Sequence, residues 1–551
     1  MSTQPLPAHP QSPTPHQLVE AREAFARGDW EAARGRLEDS REVSPLGLAD
    51  LEILSRCKWW LGDVQGSMAL AEEAFQGLVA DEQPHAAAKS ALMLSLQWGV
   101  RGNLAVSSAW LNRARRLLDT LPESPEHGYL LYLEGNDAIY LEGDAGSAFA
   151  TSLELTAMNR RHKAPELGSF ALVLSGLAAV RRGQAARGFE DLDQALLPVM
   201  AGDVSAEWGG DIYCSVIHLC YELADYSRMR AWTDALAAWC AGLSTSFMYS
   251  DIVRVHELQL ISAEGGWKVA SEELAVLGER LKNAHAWIAA DCFCELGDIR
   301  RRQGNRPGAA ASYAAARGLG VDAQPGSALL LADAGMNQEA VTALRAALAD
   351  RGRLGRAWLL LPLVELLAPR DADSAEVYCG ELEGTAAYFG TVGLLAWAHH
   401  ARGALLMAQG RWGESLPEFD AAAQGYRSQH LRYELSRVHE RLSSVRAALG
   451  DTGPALAERA TASAIRAQLG AAPILPPAAE RVSDGLTPRE REVLGCVLSG
   501  CSNRQIAEAL TISEKTASRH LANIFTKIGV TSRTGAAAWA RHQGIAEHLE
   551  A

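Results

Sequence analysis

The residues best placed to do chemistry in this 551-residue chain lie close to its C-terminal end, in the stretch Glu514 to Ile528. Lys515, Ser518, Arg519 and Ala522 recur there at steps of three, four and seven residues, so on a helix they project together from one face. Ala517, Leu521, Ile524 and Ile528 form an apolar stripe on the opposite side. A helix held by its apolar face, with short polar and basic side chains on the other, has the geometry of a recognition helix in a DNA major groove.

Other chemistries find no comparable pattern. None of the seven lysines follows a glycine, so no phosphate-cradling loop is present; Lys89 and Lys515 precede Ser90 and Thr516 but sit in helical surroundings. The nine cysteines include no CxxC pair. Cys214, His218 and Cys220 could share part of a helical face and hold a metal, yet flanking Ile217 and Leu219 favour core packing. No nucleophile, acid/base pair or metal constellation has a spacing that implies catalysis. Arginine supplies 45 of the 52 basic residues beside abundant alanine, a bias that suggests a GC-rich bacterial genome. The chain is expected to be no enzyme, with no cofactor and no metal, in a reducing cytoplasm.

The elements around the basic face carry their own start and stop signals. Thr487-Pro488-Arg489-Glu490 is a capping box with proline at the first helical position, predicting a helix from Pro488 that ends by Gly500. Ser502-Asn503-Arg504-Gln505 is a second box, opening a short helix with Ile506, Ala507 and Leu510 inward. Thr511 and Ile512 make a turn, Ser513 caps the helix Glu514 to Ile528, and Gly529 stops it. A last helix from Ser532 to Gln543 carries Trp539, to close the core or to meet a second subunit.

LTPREREVL (486–494), SNRQIAEAL (502–510) and ISEKTASRHLANIFTKIGVTSRTGAA (512–537) together resemble the LuxR/FixJ-type four-helix DNA-binding domain. The resemblance covers about a ninth of the chain. It implies a helix-turn-helix at about residues 501–520, with Ser518, Arg519 and Ala522 facing bases. It further implies that Asn503, Lys515, Thr516, His520, Asn523 and Lys527 contact phosphates or hold the helix on the backbone. Arg519 is then the principal reader, because its fork can bond guanine O6 and N7 together. A solvated face or a salt bridge within the domain is the alternative for Lys527 and Arg533. Ala517 replaces the larger aliphatic residue usual in the family, so the recognition helix is expected to sit closer to its support.

Ahead of this module, turn signals recur every 31 to 41 residues, the length of a helical hairpin repeat. They fall at Gly28-Asp29, Gly62-Asp63, Gly102-Asn103, Gly143-Asp144, Gly183-Gln184, Ala224-Asp225, Gly265-Gly266, Gly304-Asn305, Gly335-Met336, Pro369-Arg370-Asp371, Gly410-Arg411 and Gly450-Asp451. Gly297, Gly304, Ala309, Tyr313 and Ala316 follow the small–turn–small–large–small order of tetratricopeptide hairpins, and Gly403, Gly410, Ser415, Phe419 and Ala422 repeat it. The fold expected is all-α: a tetratricopeptide-like solenoid at 18–469, a linker at 470–485 and the DNA-binding module at 486–545. Met1 to Gln17, rich in proline, is expected to be a disordered tail, and 546–551 a second tail. An irregular helical domain without true repeats is the alternative. The concave face of such an array is a natural ligand groove, and Trp98, Trp110, Trp232, Trp287, Trp358 and Trp397 either line it or fill the core.

Formal charge is −14, unevenly distributed: residues 486–545 carry eight basic and four acidic side chains, which leaves −18 on the rest. Such a body does not coat nucleic acid nonspecifically. No apolar run is long enough to cross a bilayer, so no membrane partner is expected. The combined pattern resembles the helical sensor and DNA-binding domain of maltose-type regulators without their ATPase. It predicts a transcription regulator whose partners are double-stranded DNA, RNA polymerase, an effector in the repeat groove (peptide, protein or small molecule) and a second copy of the chain. A repeat scaffold whose terminal domain docks onto protein is the competing reading.

Overall fold

The computed structural model of the chain describes residues 15–242, 247–472, 486–530 and 532–542. All regular structure among them is helical, and the chain divides into two compact units, Met1–Ala472 and Pro473–Ala551. The first unit is a series of twelve helical hairpins, from Pro15–Ala26 paired with Trp30–Val43 to Arg432–Ala448 paired with Thr452–Leu469. Its first helix starts at Pro15, inside the proline-rich stretch; residues 1–14, most of the expected linker and the 546–551 tail lie outside the described residues.

Each of the twelve turn signals joins the two helices of one hairpin, and the reason is local. Eleven of them place a glycine, or Ala224, at positive φ, from 52° at Ala224 to 95° at Gly265, a conformation that an L side chain resists. The next residue is often Asp or Asn, and it caps the second helix: Asp29, Asp63, Asn103, Asp144, Asp225 and Asn305 each accept a backbone N–H from its first turn. The cap satisfies a donor that would otherwise be orphaned, so a Gly-Asp pair both reverses the chain and starts the next helix.

Small residues then let the paired helices meet. A Cβ on Gly297 would lie 2.4 Å from the Tyr313 ring, and one on Gly403 would lie 3.0 Å from that of Phe419. Tyr313 and Phe419 are buried with Ala309, Ala316, Ser415 and Ala422 around them, so the pattern that suggested hairpins corresponds to real close packing.

The array coils more tightly than an open solenoid with a wide groove. Hairpins four or five places apart touch, and the contacts are specific. Last-turn or capping carbonyls of first helices accept side-chain hydrogen bonds from the following coil: Trp287 Nε1 donates to Gly99 O at 3.2 Å, Trp358 Nε1 to Glu222 O at 3.0 Å and Thr391 Oγ1 to Leu223 O at 2.7 Å. Arg56 forms a bidentate ion pair with buried Glu207, 151 residues away, at 2.7 and 2.9 Å. Small hairpin tips permit the approach: a Cβ on Gly393 would fall 2.1 Å from Ala224 O, and one on Gly102 would lie 3.1 Å from Ala286. First helices therefore face inward, and the expected concave groove is reduced to a narrow, largely filled interior.

The tryptophans divide accordingly. Trp232 and Trp397 are buried, Trp98, Trp110 and Trp358 are half-buried, and Trp287 is the most exposed of the six. Cys214, His218 and Cys220 do not converge: Cys220 is buried in the helical core while His218 is exposed, and the described residues contain no cluster suited to a metal. No described helix is long and apolar enough to cross a membrane.

Candidate nucleic-acid interface

Among its described residues the second unit packs four helices, Pro488–Leu498, Asn503–Ala509, Glu514–Ile528 and Arg533–His542, around a small core that includes Val493, Leu494, Ile506, Leu521, Ile524 and Ala536. Both capping boxes are formed. Glu490 Oε2 accepts from Thr487 N–H at 2.7 Å while Glu490 N–H donates to Thr487 Oγ1 at 3.3 Å, and Ser502 and Gln505 do the same at 2.7 and 3.3 Å. Thr511, at φ 53°, turns the chain between the second and third helices. Arg489 donates to the Leu510 carbonyl and so ties that turn to the first helix.

The third helix begins at Ser513, whose Oγ accepts from Thr516 N–H at 3.1 Å, and ends at Gly529 in the left-handed conformation. Ala517, Leu521 and Ile524 are buried, with Phe525 and Ile528 partly so. The opposite face leaves Lys515, Ser518, Arg519, Ala522 and Asn523 exposed, while Thr516 and His520 are half-buried at its edge. Ala517 is fully buried, and its small side chain suits a close approach of this helix to its neighbours. Lys515 and Arg519 make no ion pair with any described residue. Their charge is available for an external anion.

Four proposed contact residues, Asn503, Thr516, Ser518 and Lys527, have side-chain partners inside the module, Thr516 Oγ1 lying 2.8 Å from Ser513 Oγ. Lys527 Nζ pairs with Glu490 at 2.7 Å, joining the third helix to the first. That ammonium, then the Thr487 N–H, holds the Glu490 carboxyl below its usual range. Asn503 donates from Nδ2 to Ser518 Oγ at 3.1 Å and accepts from Arg533 Nη1 at 2.8 Å, while Arg533 also donates to the Cys501 carbonyl. Asn503 and Arg533 thus fix the second helix against the third and fourth. Within the module Lys527 forms a salt bridge and Arg533 forms hydrogen bonds.

Two features escaped the sequence. Thr526 is exposed at steps of four and seven from Ala522 and Arg519, which extends the same face by a turn; the spacing alone was signal enough. Arg533 as the tie between helices had no sequence signal, because nothing local places residue 503 beside residue 533. Trp539 is half-buried and packs against the module's own core.

Residues 484–540 match the family model described as "Bacterial regulatory proteins, luxR family". The transcriptional regulatory protein MctR of Rhizobium johnstonii is 46% identical over 66 residues, 12% of this chain and 31% of that protein. The CsgBAC operon transcriptional regulatory protein of Escherichia coli is 51% identical over 55 residues, 10% and 26%. The nitrate/nitrite response regulator protein NarL of Escherichia coli is 38% identical over 66 residues, 12% and 31%. The chain thus spans less than a third of the length of these relatives. Among solved structures, the APC/C hetero-tetramer Cut9-Hcn1 is similar over 95% of this chain and 96% of that chain at 11% identity, with a TM-score of 0.42, a likeness too slight to bear on function. The capped helices, the buried stripe and the unpaired basic face of residues 486–542 together with these matches make the C-terminal module a luxR-family DNA-binding domain of the kind carried by bacterial transcription regulators.

Proposed function

We propose that the whole chain is a sequence-specific DNA-binding transcription regulator of a bacterium. The observation that carries this reading is the exposed face of Lys515, Ser518, Arg519, Ala522 and Asn523 on a helix whose other side is buried. That helix enters the major groove; Arg519 reads guanine, Ser518 and Ala522 lie against neighbouring base edges, and Lys515, Thr516, His520 and Asn523 meet phosphates. Asn503 and Lys527, already bonded within the module, hold the helix at its working angle. A +4 module on a −18 body binds weakly as a single copy, so the active species is a dimer on paired half-sites, using the final helix around Trp539. The helical array senses an effector and gates DNA binding or dimerisation, and RNA polymerase is the downstream partner.

Selection of bound genomic fragments with the full chain and with residues 480–551 alone tests this. Enrichment of one ordered motif by both, with a difference that depends on effector, is the expected result. Equal retention of random duplex and genomic fragments at physiological salt would defeat the regulator reading and favour a repeat scaffold that docks onto protein.

A further inference from the structure

Where the first helices of the array converge, a small, partly open cavity of about 40 Å³ remains. Its walls come from five segments that are far apart in the sequence. Trp59 and Tyr249 supply aromatic surface, Gln97, Glu207 and Asp211 supply oxygens, and His285 supplies a ring edge. The charges are not balanced.

Glu207 is already satisfied, by the two bonds from Arg56 and a third from Trp60 Nε1 at 3.1 Å. Asp211 has no such partner: Tyr132 donates one neutral hydrogen bond to its Oδ2 at 2.8 Å, and no cation of the described residues pairs with it. Burial pushes its carboxyl up to about 6, so at neutral pH it is mostly ionised and uncompensated. Gln97 is 4% exposed and its Oε1 has no hydrogen-bond partner. His285 adds no positive charge, because burial holds its imidazole neutral, with a pKa down to about 4. A buried acceptor without a donor carries a substantial cost, and the half-buried Asp211 carboxylate beside it has no counter-ion among the described residues; a ligand that supplies both completes the site.

We propose that this cavity is an effector site for a primary ammonium head, held by the Asp211 carboxylate and Gln97 Oε1 against Trp59 and Tyr249. An ammonium offers three N–H donors, of which one can meet the Asp211 carboxylate and another Gln97 Oε1. Aromatic faces favour a cation through their quadrupole. The volume favours a small head: about 40 Å³ suits an ammonium better than a sugar ring or a quaternary ammonium. Anionic ligands are rejected by the Asp211 carboxylate, because the charge of Glu207 is already met by Arg56. The site rests on reading the array as a sensor, and the two ideas fail separately.

Calorimetric titration of the full chain with ethylammonium, matched against ethanol, tetramethylammonium and sodium chloride, tests the site. Saturable binding of ethylammonium alone is expected, weakened at least tenfold by Asp211→Asn and several-fold by Gln97→Leu. Both replacements remove a binding atom at nearly constant shape, and the second keeps the measurement decisive if the first does not fold. An equal response to ethanol, unchanged affinity in a folded variant, or no saturation below about 10 mM would overturn the assignment. Retention on genomic fragments is read from the same samples. Ethylammonium binding that leaves retention unchanged supports the site and removes the sensing role; gating of retention by another compound while ethylammonium does not bind removes the site and keeps the sensor.

Discussion

Arg519 and Lys515 lie four residues apart on one exposed face, but they should fail differently. A guanidinium that bonds two guanine acceptors carries sequence information, so Arg519→Ala should cost about 1–3 kcal/mol on the selected site and relax preference at one base pair. Lys515→Ala should weaken all duplexes alike and lower the slope of log affinity against log salt by about 1. Fluorescence anisotropy on cognate and scrambled duplexes across a salt series separates the two; equal loss on both duplexes for Arg519→Ala would remove its reading role. Inside the array, titration acts on stability instead. Burial lowers the pKa of His256 from the usual 6.5 to about 4, opposed by its hydrogen bond with Gln259 and reinforced by nearby His218. The unfolded chain therefore binds a proton that the folded chain refuses. The stability linked to His256 is complete above pH 6.5 and is lost as pH falls toward 4. Asp211 and Asp291, raised to about 6, act oppositely over the acid part of the same window. His256→Gln should thus lose less melting temperature than the parent between about pH 7 and about pH 5. An identical loss would mean that His256 is not held neutral.

Helix pairing in the array depends on where a methyl group fits. A Cβ on Gly188 would lie 2.6 Å from the Gly176 carbonyl of the partner helix, a backbone atom that cannot move aside. Gly188→Ala should destabilise by about 1–3 kcal/mol. Gly380, in the helix Ala372–Phe389, has nothing within 4 Å of the same position, so Gly380→Ala should be neutral or stabilising by about 0.5–1 kcal/mol. Denaturant titration of both variants checks the contrast, and similar values would show that helix spacing is not set by these contacts. Elements are also the scale at which the sequence was most legible. The twelve turn signals and the two capping boxes depend on residues within four places of each other, so they could be read from local chemistry. Gly529 and Ser513 bound the recognition helix for the same reason.

At the scale of the whole molecule the sequence was nearly silent. Nothing near Arg56 announces Glu207, and nothing near Gly102 announces Ala286, because those approaches depend on the accumulated rotation of several hairpins. The exposed reading face was legible, whereas the cavity around Asp211 was not, since its walls come from five segments spread between Trp59 and His285. A dimer is the expected species on DNA. Sedimentation of the full chain with a duplex bearing paired half-sites should give two chains per duplex, and a single chain at saturating affinity would dismiss the dimer. The side chains that cap helix ends across the coil also set a timetable. Gly99 waits for Trp287, 188 residues later. At roughly 5–20 residues per second of synthesis, that partner emerges on the order of ten to forty seconds after the helix it completes. Early hairpins must therefore persist on the ribosome with unfinished ends, and a chain halted near its middle should be cleared by proteases rather than accumulate as a shorter, stable array.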